Sequence, residues 1–404
     1  MITSSAQRDA HSYPESAIRV TVFLMIAYVT TTMLQGLFGT LPVNRLVGFA
    51  LVVLLAYEWI SSKKSHLAYL VLCGFIILAL RSLSVASDVS QEIADWVYLA
   101  STLLVLALIG SSDRRIQVYS ALLRYRSFIQ ITVAFAVLLL LGLLVTRTGY
   151  VVAWGEEPYF KGLCNTEHTL ASICILLLVL IVFLSRTGEP LPFCAFASAI
   201  VLFALLETGA RTYLVPGAIC ALLLIDGMVN HGWLKVILVF LLVLIGGSVF
   251  MGSGMMNKFM FAQGNIYADS LLSAVTNGRN EIWLTDLLAW LQSGPIGLVI
   301  GSSFSRIYSV NEAALSLSIW AHNDFIMLLF GTGLIGLVLY SGCLAHVFKN
   351  MARSLGKRDF AVLALFVLFP LFFNGFFPYQ HLVFGSVFLF VICDCSNSVA
   401  NVKE

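Results

Sequence analysis

The segment from Trp320 to Asp324 reads Trp-Ala-His-Asn-Asp and stands immediately before a long apolar run. His322 therefore falls at the start of a predicted helix, where Asn323 or Asp324 is available to orient its ring. Histidine exchanges protons near neutral pH, and it is the side chain used most often as a general acid or base. The segment predicts an acid–base group held at a helix terminus.

A short turn that ends in an arginine joins two other apolar runs. The turn covers residues 207–213 and places Arg211 and Tyr213 at the start of the second run. A cation at a helix N-terminus is locally unfavourable because the helix dipole is positive there. It becomes favourable when an anion is bound, since backbone N–H groups and the guanidinium then converge on it. Arg211 is therefore predicted to belong to an anion site.

A third polar segment lies in a long interval between apolar runs, residues 253–316. Arg279 opens a stretch in which apolar and polar side chains alternate with a helical period. This pattern predicts an amphipathic helix that lies on the membrane surface. Its apolar side holds Trp283, Leu284, Leu287, Leu288 and Leu291, and its polar side holds Asn280, Glu281, Asp286 and Gln292.

A fourth polar segment opens the apolar run that follows residue 168. Asn165 is predicted to cap the helix, and His168 follows it by about one turn. Lys161 precedes them in the same short segment. We expect these three side chains to line the same pocket as the other polar segments.

The composition indicates which elements position these residues. The chain has 404 residues, of which 59% are hydrophobic and 11% are charged, against about 25% charged in soluble domains. These values exclude a soluble enzyme and a disordered protein. They predict an all-α polytopic membrane protein that forms a single integral membrane domain over residues 1–404. About 12 spans are expected, near 18–38, 43–60, 67–84, 94–112, 128–146, 168–185, 191–206, 212–228, 233–252, 317–348, 359–377 and 380–397.

The distribution of the 23 Lys and Arg residues orients the spans. Most of them fall in inner loops when both termini are placed in the cytoplasm, as the positive-inside rule requires. Spans 6, 8 and 10 then begin on the outer side, so their N-termini can surround one outward pocket. Those helix ends, with Arg211, Arg279 and Lys161, suit a multivalent anion. The cations that remain on the outer side are Arg45, Arg81, Arg147, Lys161, Arg211, Lys258, Arg279 and Arg306.

At these residues the chain resembles the O-antigen polymerase and O-antigen ligase superfamily of bacterial membrane glycosyltransferases. The resemblance covers about residues 160–345 and rests on the order and spacing of several short motifs. The matching residues are Arg211, Arg279 with Trp283, then Pro295, Gly297 and Gly301, and finally His322, Asn323, Gly333 and Gly336.

The resemblance implies a GT-C-like helical bundle whose large outer loop is the interval 253–316. It also implies inverting transfer of a glycan from undecaprenyl pyrophosphate, without a metal ion or cofactor. Arg211 and Arg279 would stabilise the pyrophosphate leaving group, and His322 would orient or deprotonate the acceptor hydroxyl. The expected substrate-binding residues are Lys161, Asn165, His168, Tyr213, Trp283, Asn323 and Asp324. A carboxylate base remains an alternative to His322, with Glu167, Glu207 and Asp324 as the candidates.

The two branches of the superfamily differ in the acceptor. A polymerase transfers the glycan to another lipid-linked repeat unit, and a ligase transfers it to lipid A–core. The segments around residues 278–283 and 322–325 resemble the polymerases more closely, so a polymerase is the favoured interpretation. A lipid-linked oligosaccharide transporter and a non-catalytic membrane scaffold are further alternatives. The expected partners are an undecaprenyl-pyrophosphate-linked oligosaccharide, the lipid bilayer of the cytoplasmic membrane and a chain-length regulator, with no nucleic acid.

Overall fold

The structure, a computed structural model, describes residues 15–38, 43–61, 66–152, 158–229, 231–264, 273, 276 and 278–400. This part of the chain is mostly α-helical and contains one short antiparallel pair of strands. The strands are β1 (Tyr150–Val152) and β2 (Pro158–Phe160), with Val151 opposite Tyr159. The all-α fold class predicted from the composition is confirmed.

Seventeen helices are numbered here in chain order within the described residues. Two short 3-10 helices add to them, Gln35–Leu37 and Arg211–Tyr213. The α-helices are α1 Glu15–Met33, α2 Val43–Ser61, α3 His66–Ser84, α4 Val89–Ala107, α5 Ser112–Arg124, α6 Arg126–Val145, α7 Glu167–Arg186, α8 Leu191–Glu207, α9 Leu214–Met228, α10 Gly232–Met251, α11 Gly254–Gly264, α12 Arg279–Leu291, α13 Gly294–Ile300, α14 Phe304–Leu315, α15 Asp324–Ser354, α16 Lys357–Phe373 and α17 Gln380–Ala400.

Seven helical segments of the described chain are long and apolar enough to cross a membrane. They are α2, α3, α6, α7, α10, α15 and the segment Arg211–Met228 that contains α9. The pair α4–α5 gives an eighth if it is one span, although it bends by 100° at its break. The predicted spans near 18–38, 191–206 and 380–397 correspond to shorter apolar helical stretches, and 359–377 corresponds to α16. The structure thus supports a multi-pass membrane protein.

Helix α7 forms the centre of the bundle. Every residue from Leu170 to Leu184 is buried, and α8, α9 and α17 pack around it. The sequence explains this position, since the helix is apolar on all sides and such helices lie inside a bundle. Its first turn, which contains His168, is therefore held in the middle of one end of the protein.

Two glycine-rich segments pack directly against each other. Gly301 has φ +80 and Gly333 has φ +66, and both lie where a side chain would collide with the opposite backbone. The amide of Ser302 donates to the carbonyl of Phe330 at 2.9 Å across the same contact. Gly333 also interrupts the helical geometry of α15. The two glycine motifs on which the resemblance rests are therefore neighbours in space.

The boundaries of two predicted elements near the polar segments were wrong. Helix α15 begins at Asp324 and not at 317, because Asn323 caps it. Helix α16 ends at Phe373 and not at 377, because Gly375 adopts φ +97 directly after Asn374. The amphipathic helix is present as α12, and its residues Leu284, Leu288 and Leu291 are exposed. Asp286, assigned to its polar side, is fully buried.

We predict that Gly333→Ala destabilises the folded state by at least about 1 kcal/mol, since Ala is strained at positive φ. Its Cβ would also collide with the amide nitrogen of Gly301. Gly342→Ala in the same helix is the matched control. Nothing outside the helix's own backbone lies within 4 Å of the position that this methyl group would occupy, and Ala is favoured over Gly in a helix interior. Thermal unfolding in detergent should show a lower midpoint for Gly333→Ala only; equal midpoints would contradict the role of the glycine contact.

Candidate functional site

Asn374 connects the polar residues that the sequence singled out. Its Oδ1 accepts a hydrogen bond from Nη2 of Arg279 at 3.1 Å, and its Nδ2 donates to the hydroxyl of Tyr213 at 3.1 Å. The same Oδ1 lies 3.3 Å from Nδ1 of His322. The side chain is fully buried. Asn374 reaches this position because α16 ends one residue earlier. Its backbone N–H still donates to the carbonyl of Pro370, while its side chain turns inward.

Arg279 is the first residue of α12, and its guanidinium points into the bundle. Nη1 donates to the carbonyl of Phe373 and to Oγ1 of Thr212 at 3.2 Å, and Nη2 donates to Asn374. Within the described chain, these bonds use three of the five N–H donors of a guanidinium. The other two donors make no hydrogen bond among the described residues. Burial, together with the nearby charge of Arg211, lowers the pKa of Arg279 to about 10, and the group stays charged at neutral pH.

The surroundings of His322 define which ring nitrogen carries its proton. Oδ1 of Asn374 faces Arg279, which can only donate, so the amide cannot be flipped and Oδ1 must accept from the ring as well. The proton therefore resides on Nδ1 of His322. Burial and the charge of Arg279 keep the pKa of His322 well below its ordinary value. The ring is neutral at pH 7, and Nε2 has a free electron pair.

The backbone of His322 is itself unusual. Its φ is +52, a left-handed conformation that non-glycine residues rarely adopt. Trp320 packs against the imidazole with ring centroids 4.8 Å apart. Nε1 of Trp283 donates to the carbonyl of Ala321 at 2.8 Å, which ties α12 to the residue before the histidine. Strained backbone of this kind concentrates at functional sites, where the surrounding structure enforces it.

Aromatic rings and a second histidine surround His322 and Arg279. The ring of His168 lies 6.3 Å from that of His322 and 6.2 Å from that of Tyr213. Tyr379 packs edge-on against Tyr213 at 5.8 Å. Within the described chain, Nδ1 of His168 is buried and has no hydrogen-bond partner. The residues His168, Arg279 and His322 therefore lie close together in the structure.

Lys258 adds a third cation beside the two arginines. Its Nζ lies 3.5 Å from Oε1 of Glu167 and over the ring of Tyr159, and its carbonyl accepts from Arg211. Burial, with the charges of Arg279 and Arg211, lowers the pKa of Lys258 to about 8. Glu167 acts in the opposite direction and retains the proton on the lysine. Arg211, Arg279 and Lys258 are called the cation cluster below.

Three of the predicted substrate-binding residues have structural partners. Oδ1 of Asn323 accepts from the amides of Phe325 and Ile326 and so caps α15. The carboxylate of Asp324 is fully buried and accepts from the amides of Phe376 and Phe377 and from the hydroxyl of Tyr340. Trp283 bonds to the backbone as described above. These contacts fix the loop that carries His322 and the segment that carries Asn374.

Two other predicted residues lie apart from the cluster. Asn165 does not cap α7; Thr166 does, through Oγ1 to the amide of Thr169 at 3.1 Å, and Asn165 is exposed. Lys161 lies in the turn after β2. In the described part of the chain, its side chain makes no hydrogen bond or ion pair with the other candidate residues. Both were grouped with His168 only because they are near it in the sequence.

Four residues of the site were missed at the sequence level: Asn374, Lys258, Thr212 and Tyr379. An Asn-Gly pair inside an apolar run is a turn signal, and it marks the end of α16. The other three carry no local signal.

The described residues contain no group of three or more His, Cys, Asp or Glu side chains placed to hold a metal ion. Comparison of the chain with protein-family models and with curated proteins gives no match.

We predict that the cation cluster binds sulfate, and that the affinity falls as the pH rises through about 8. Lys258 has a pKa of about 8, below its ordinary value, so its ammonium charge is present below this pH and is lost above it. Sulfate is the probe because its own charge is constant over this range. Isothermal calorimetry between about pH 7 and about pH 9 measures the change.

The lysine can be tested by two substitutions. Lys258→Met should remove the pH dependence and weaken binding at pH 7, whereas Lys258→Arg should retain tight binding to higher pH. Lys235→Met is the matched control, since Lys235 pairs with Asp226 away from the cluster. A sulfate affinity that falls equally in Lys258→Met and in the unmodified chain would refute the assignment.

Proposed function

We propose that this protein is a polymerase of surface-polysaccharide repeat units, of O-antigen, capsule or exopolysaccharide type. It transfers a glycan from undecaprenyl pyrophosphate to a sugar hydroxyl of a second lipid-linked unit. The single observation that supports this best is the shared contact of Arg279 and His322 with Asn374. It unites an anion-binding group and a neutral base within one site of an apolar helical bundle.

The chemistry divides between the two halves of the site. The acceptor hydroxyl attacks the anomeric carbon of the donor sugar, the bond from that carbon to the pyrophosphate oxygen breaks, and the configuration inverts. The negative charge that develops on the pyrophosphate is stabilised by the cation cluster, in a setting where little water screens it. The proton of the acceptor hydroxyl passes to Nε2 of His322. The rings of His168 and Tyr213 lie next to the two groups.

The carboxylates considered as alternative bases all have other partners. Glu167 pairs with Lys258, and Glu207 accepts from the hydroxyl of Tyr150 at 2.9 Å. Asp324 accepts two backbone amides. A base needs a free electron pair aimed at the substrate. A carboxylate keeps further lone pairs when it accepts such bonds, but its partners fix its orientation. Nε2 of His322 accepts no hydrogen bond among the described residues, and we therefore assign the base to His322.

We also propose how the chain is placed in the membrane. It crosses the bacterial cytoplasmic membrane about twelve times as a GT-C-like bundle, with both termini in the cytoplasm. The shorter apolar helices α1, α8, α16 and α17 then complete the bundle beside the longer ones. The cation cluster and His322 face the outside, where a lipid-linked glycan is presented. A chain-length regulator is the expected protein partner.

We predict that the intact chain restores long-chain polysaccharide in a polymerase-null strain, and that Arg279→Ala and His322→Ala do not. Electrophoresis of the surface polysaccharide shows the outcome as a ladder or as a single repeat. Arg147→Ala is the control, since Arg147 is exposed and contacts Tyr150. If the intact chain leaves only single repeats, the polymerase assignment fails. Polymer that stays on the lipid carrier in a deletion strain, with none on lipid A–core, would assign the ligase reaction instead.

We predict that Arg279→Lys lowers the rate of polymerisation by about 100-fold, the typical loss when one preorganised charge-stabilising donor is removed. A lysine ammonium is a point charge and cannot reach Phe373, Thr212 and Asn374 while it also binds an anion. The rate is measured with purified protein and a lipid-linked repeat unit. A rate close to that of the unmodified chain would mean that charge alone, and not the planar donor geometry, is required.

A further inference from the structure

A second cationic recess lies apart from the cation cluster, between the end of α3 and the segment that joins α12 to α14. Its volume is about 170 Å³, several times the ~15 Å³ that one water molecule needs. Two arginines from distant parts of the chain line it together with two serines. The residues that line it include Arg81, Val85, Ser293, Ile296, Ser302 and Arg306.

The buried carboxylate of Glu92 connects the two segments that carry Arg81 and Arg306. Glu92 of α4 is fully buried and accepts from the hydroxyl of Ser82, the residue after Arg81. Its second oxygen accepts from the amide of Ser305, the residue before Arg306, at 2.7 Å. The separation of the two arginine-bearing segments is therefore fixed before any ligand arrives.

The charges of the recess are not neutralised by the described chain. Neither Arg81 nor Arg306 forms an ion pair among the described residues, and Nη1 of Arg81 donates only to the hydroxyl of Ser84 at 3.4 Å. Two carboxylates lie nearby. The oxygens of Glu92 already accept three donors, including Nε1 of Trp96. Asp88, whose amide donates to Oγ of Ser305, caps α4, and its Oδ1 accepts from the amides of Ser90 and Gln91. Arg306 also lies in the first turn of α14, where the helix dipole disfavours a cation unless an anion is close.

Two serines contribute hydroxyl groups to the wall of the recess; Ser302 is buried, and Oγ of Ser293 donates to the carbonyl of Trp290 at 2.6 Å. Gly297 lies where a Cβ would collide with Oγ of Ser293 and would be 3.5 Å from Oγ of Ser302. Any larger residue there would displace the Ser293 hydroxyl from the wall. The rim, in contrast, is apolar, because Val85 and Ile296 are both exposed. A polar, cationic floor beneath an apolar rim suits an anionic group attached to a lipid.

We infer that this recess, formed by Arg81, Arg306, Ser293 and Ser302, binds the phosphate or pyrophosphate group of a membrane lipid other than the donor. The inference rests on the proposed function, since joining two lipid-linked glycans requires a second lipid phosphate, separated from the first by the acceptor glycan. The recess is the place for the acceptor lipid, while the cation cluster holds the donor. A bound anion would also relieve the repulsion between the two guanidinium groups.

A bound lipid phosphate should protect Arg81 and Arg306 from chemical modification, and this tests the inference in the unmodified chain. Geranylgeranyl pyrophosphate, a short isoprenyl pyrophosphate, is added to the full-length protein in detergent, and phenylglyoxal modification of each arginine is mapped by mass spectrometry. Modification of Arg81 and Arg306 should fall at least about tenfold. Arg45, which is exposed in α2, is the internal control and should be modified equally with and without the ligand. Unchanged modification of Arg81 and Arg306 overturns the inference.

Binding by variants separates the recess from the cation cluster. In an Arg279→Ala background, binding of geranylgeranyl pyrophosphate should persist, and adding Arg81→Ala with Arg306→Ala should weaken it at least about tenfold. Adding Arg45→Ala should leave it unchanged. If the two recess substitutions have no more effect than Arg45→Ala, the recess is not an isoprenyl pyrophosphate site.

The source of the phosphate is tested in lipid nanodiscs. Protection of Arg81 and Arg306 is compared in discs of phosphatidylcholine and of phosphatidylglycerol. Protection by geranylgeranyl pyrophosphate in phosphatidylcholine discs supports the acceptor assignment. Equal protection by phosphatidylglycerol alone would overturn it in favour of a phospholipid headgroup. If the intact chain fails to make polymer while protection by the isoprenyl pyrophosphate persists, the proposed function fails and the recess stands.

Discussion

The amide of Asn374 is the interaction on which the site depends. It accepts from Arg279, accepts from His322 and donates to Tyr213, so one buried side chain sets the positions of a cation, a base and a ring. An amide is suited to this task because it offers donors and acceptors in fixed directions. A carboxylate there could not donate to Tyr213, and its charge would neutralise the arginine. The neutral amide holds Arg279 without neutralising the charge that an anion requires.

The same arrangement explains how histidine and arginine coexist within hydrogen-bonding distance of one atom. A protonated imidazole beside Arg279 and Lys258 would add like charge in a poorly hydrated place, which is costly. The structure avoids this because burial and Arg279 together keep His322 neutral. Neutrality in turn gives the ring one donor and one acceptor nitrogen, and Asn374 takes the donor. In the proposed mechanism the cations therefore have two roles, since they bind the anion and also keep the adjacent base neutral.

The sequence predicted the parts of the protein that follow from local patterns. The helices near 43–60, 67–84, 128–146 and 168–185 appear within about two residues, because long apolar runs leave few alternatives in a membrane. The amphipathic helix α12 followed from its period. Helix direction predicted that His168, Arg211 and His322 lie at one end of the bundle, since spans 6, 8 and 10 were expected to begin on the same side, whereas Arg279 was assigned to the long loop.

The remaining residues of the site could not be predicted, because their positions depend on contacts between residues that are distant in the sequence. A lone Asn374 in an apolar run has no periodic signal, and Lys258 gains its place only when α11 packs beside β2 and α8. Lys161 and Asn165 illustrate the opposite error. They are close to His168 along the chain, yet Thr166 provides the cap, and Asn165 remains exposed. Proximity in sequence predicts proximity in space within a helix, but a turn of a few residues removes that guarantee.

The glycine contact joins the cation cluster to the second recess. Gly301 packs against Gly331 and Gly333, so the segment that bears Ser302 cannot move without moving α15. Asn323 and Asp324 at the start of α15 in turn fix the loop of His322. Helix α12 forms a second link, since it begins at Arg279 and Ser293 follows its end. Two separate elements thus connect the two cationic places, which suits a reaction that must hold two lipid-borne groups at one fixed distance.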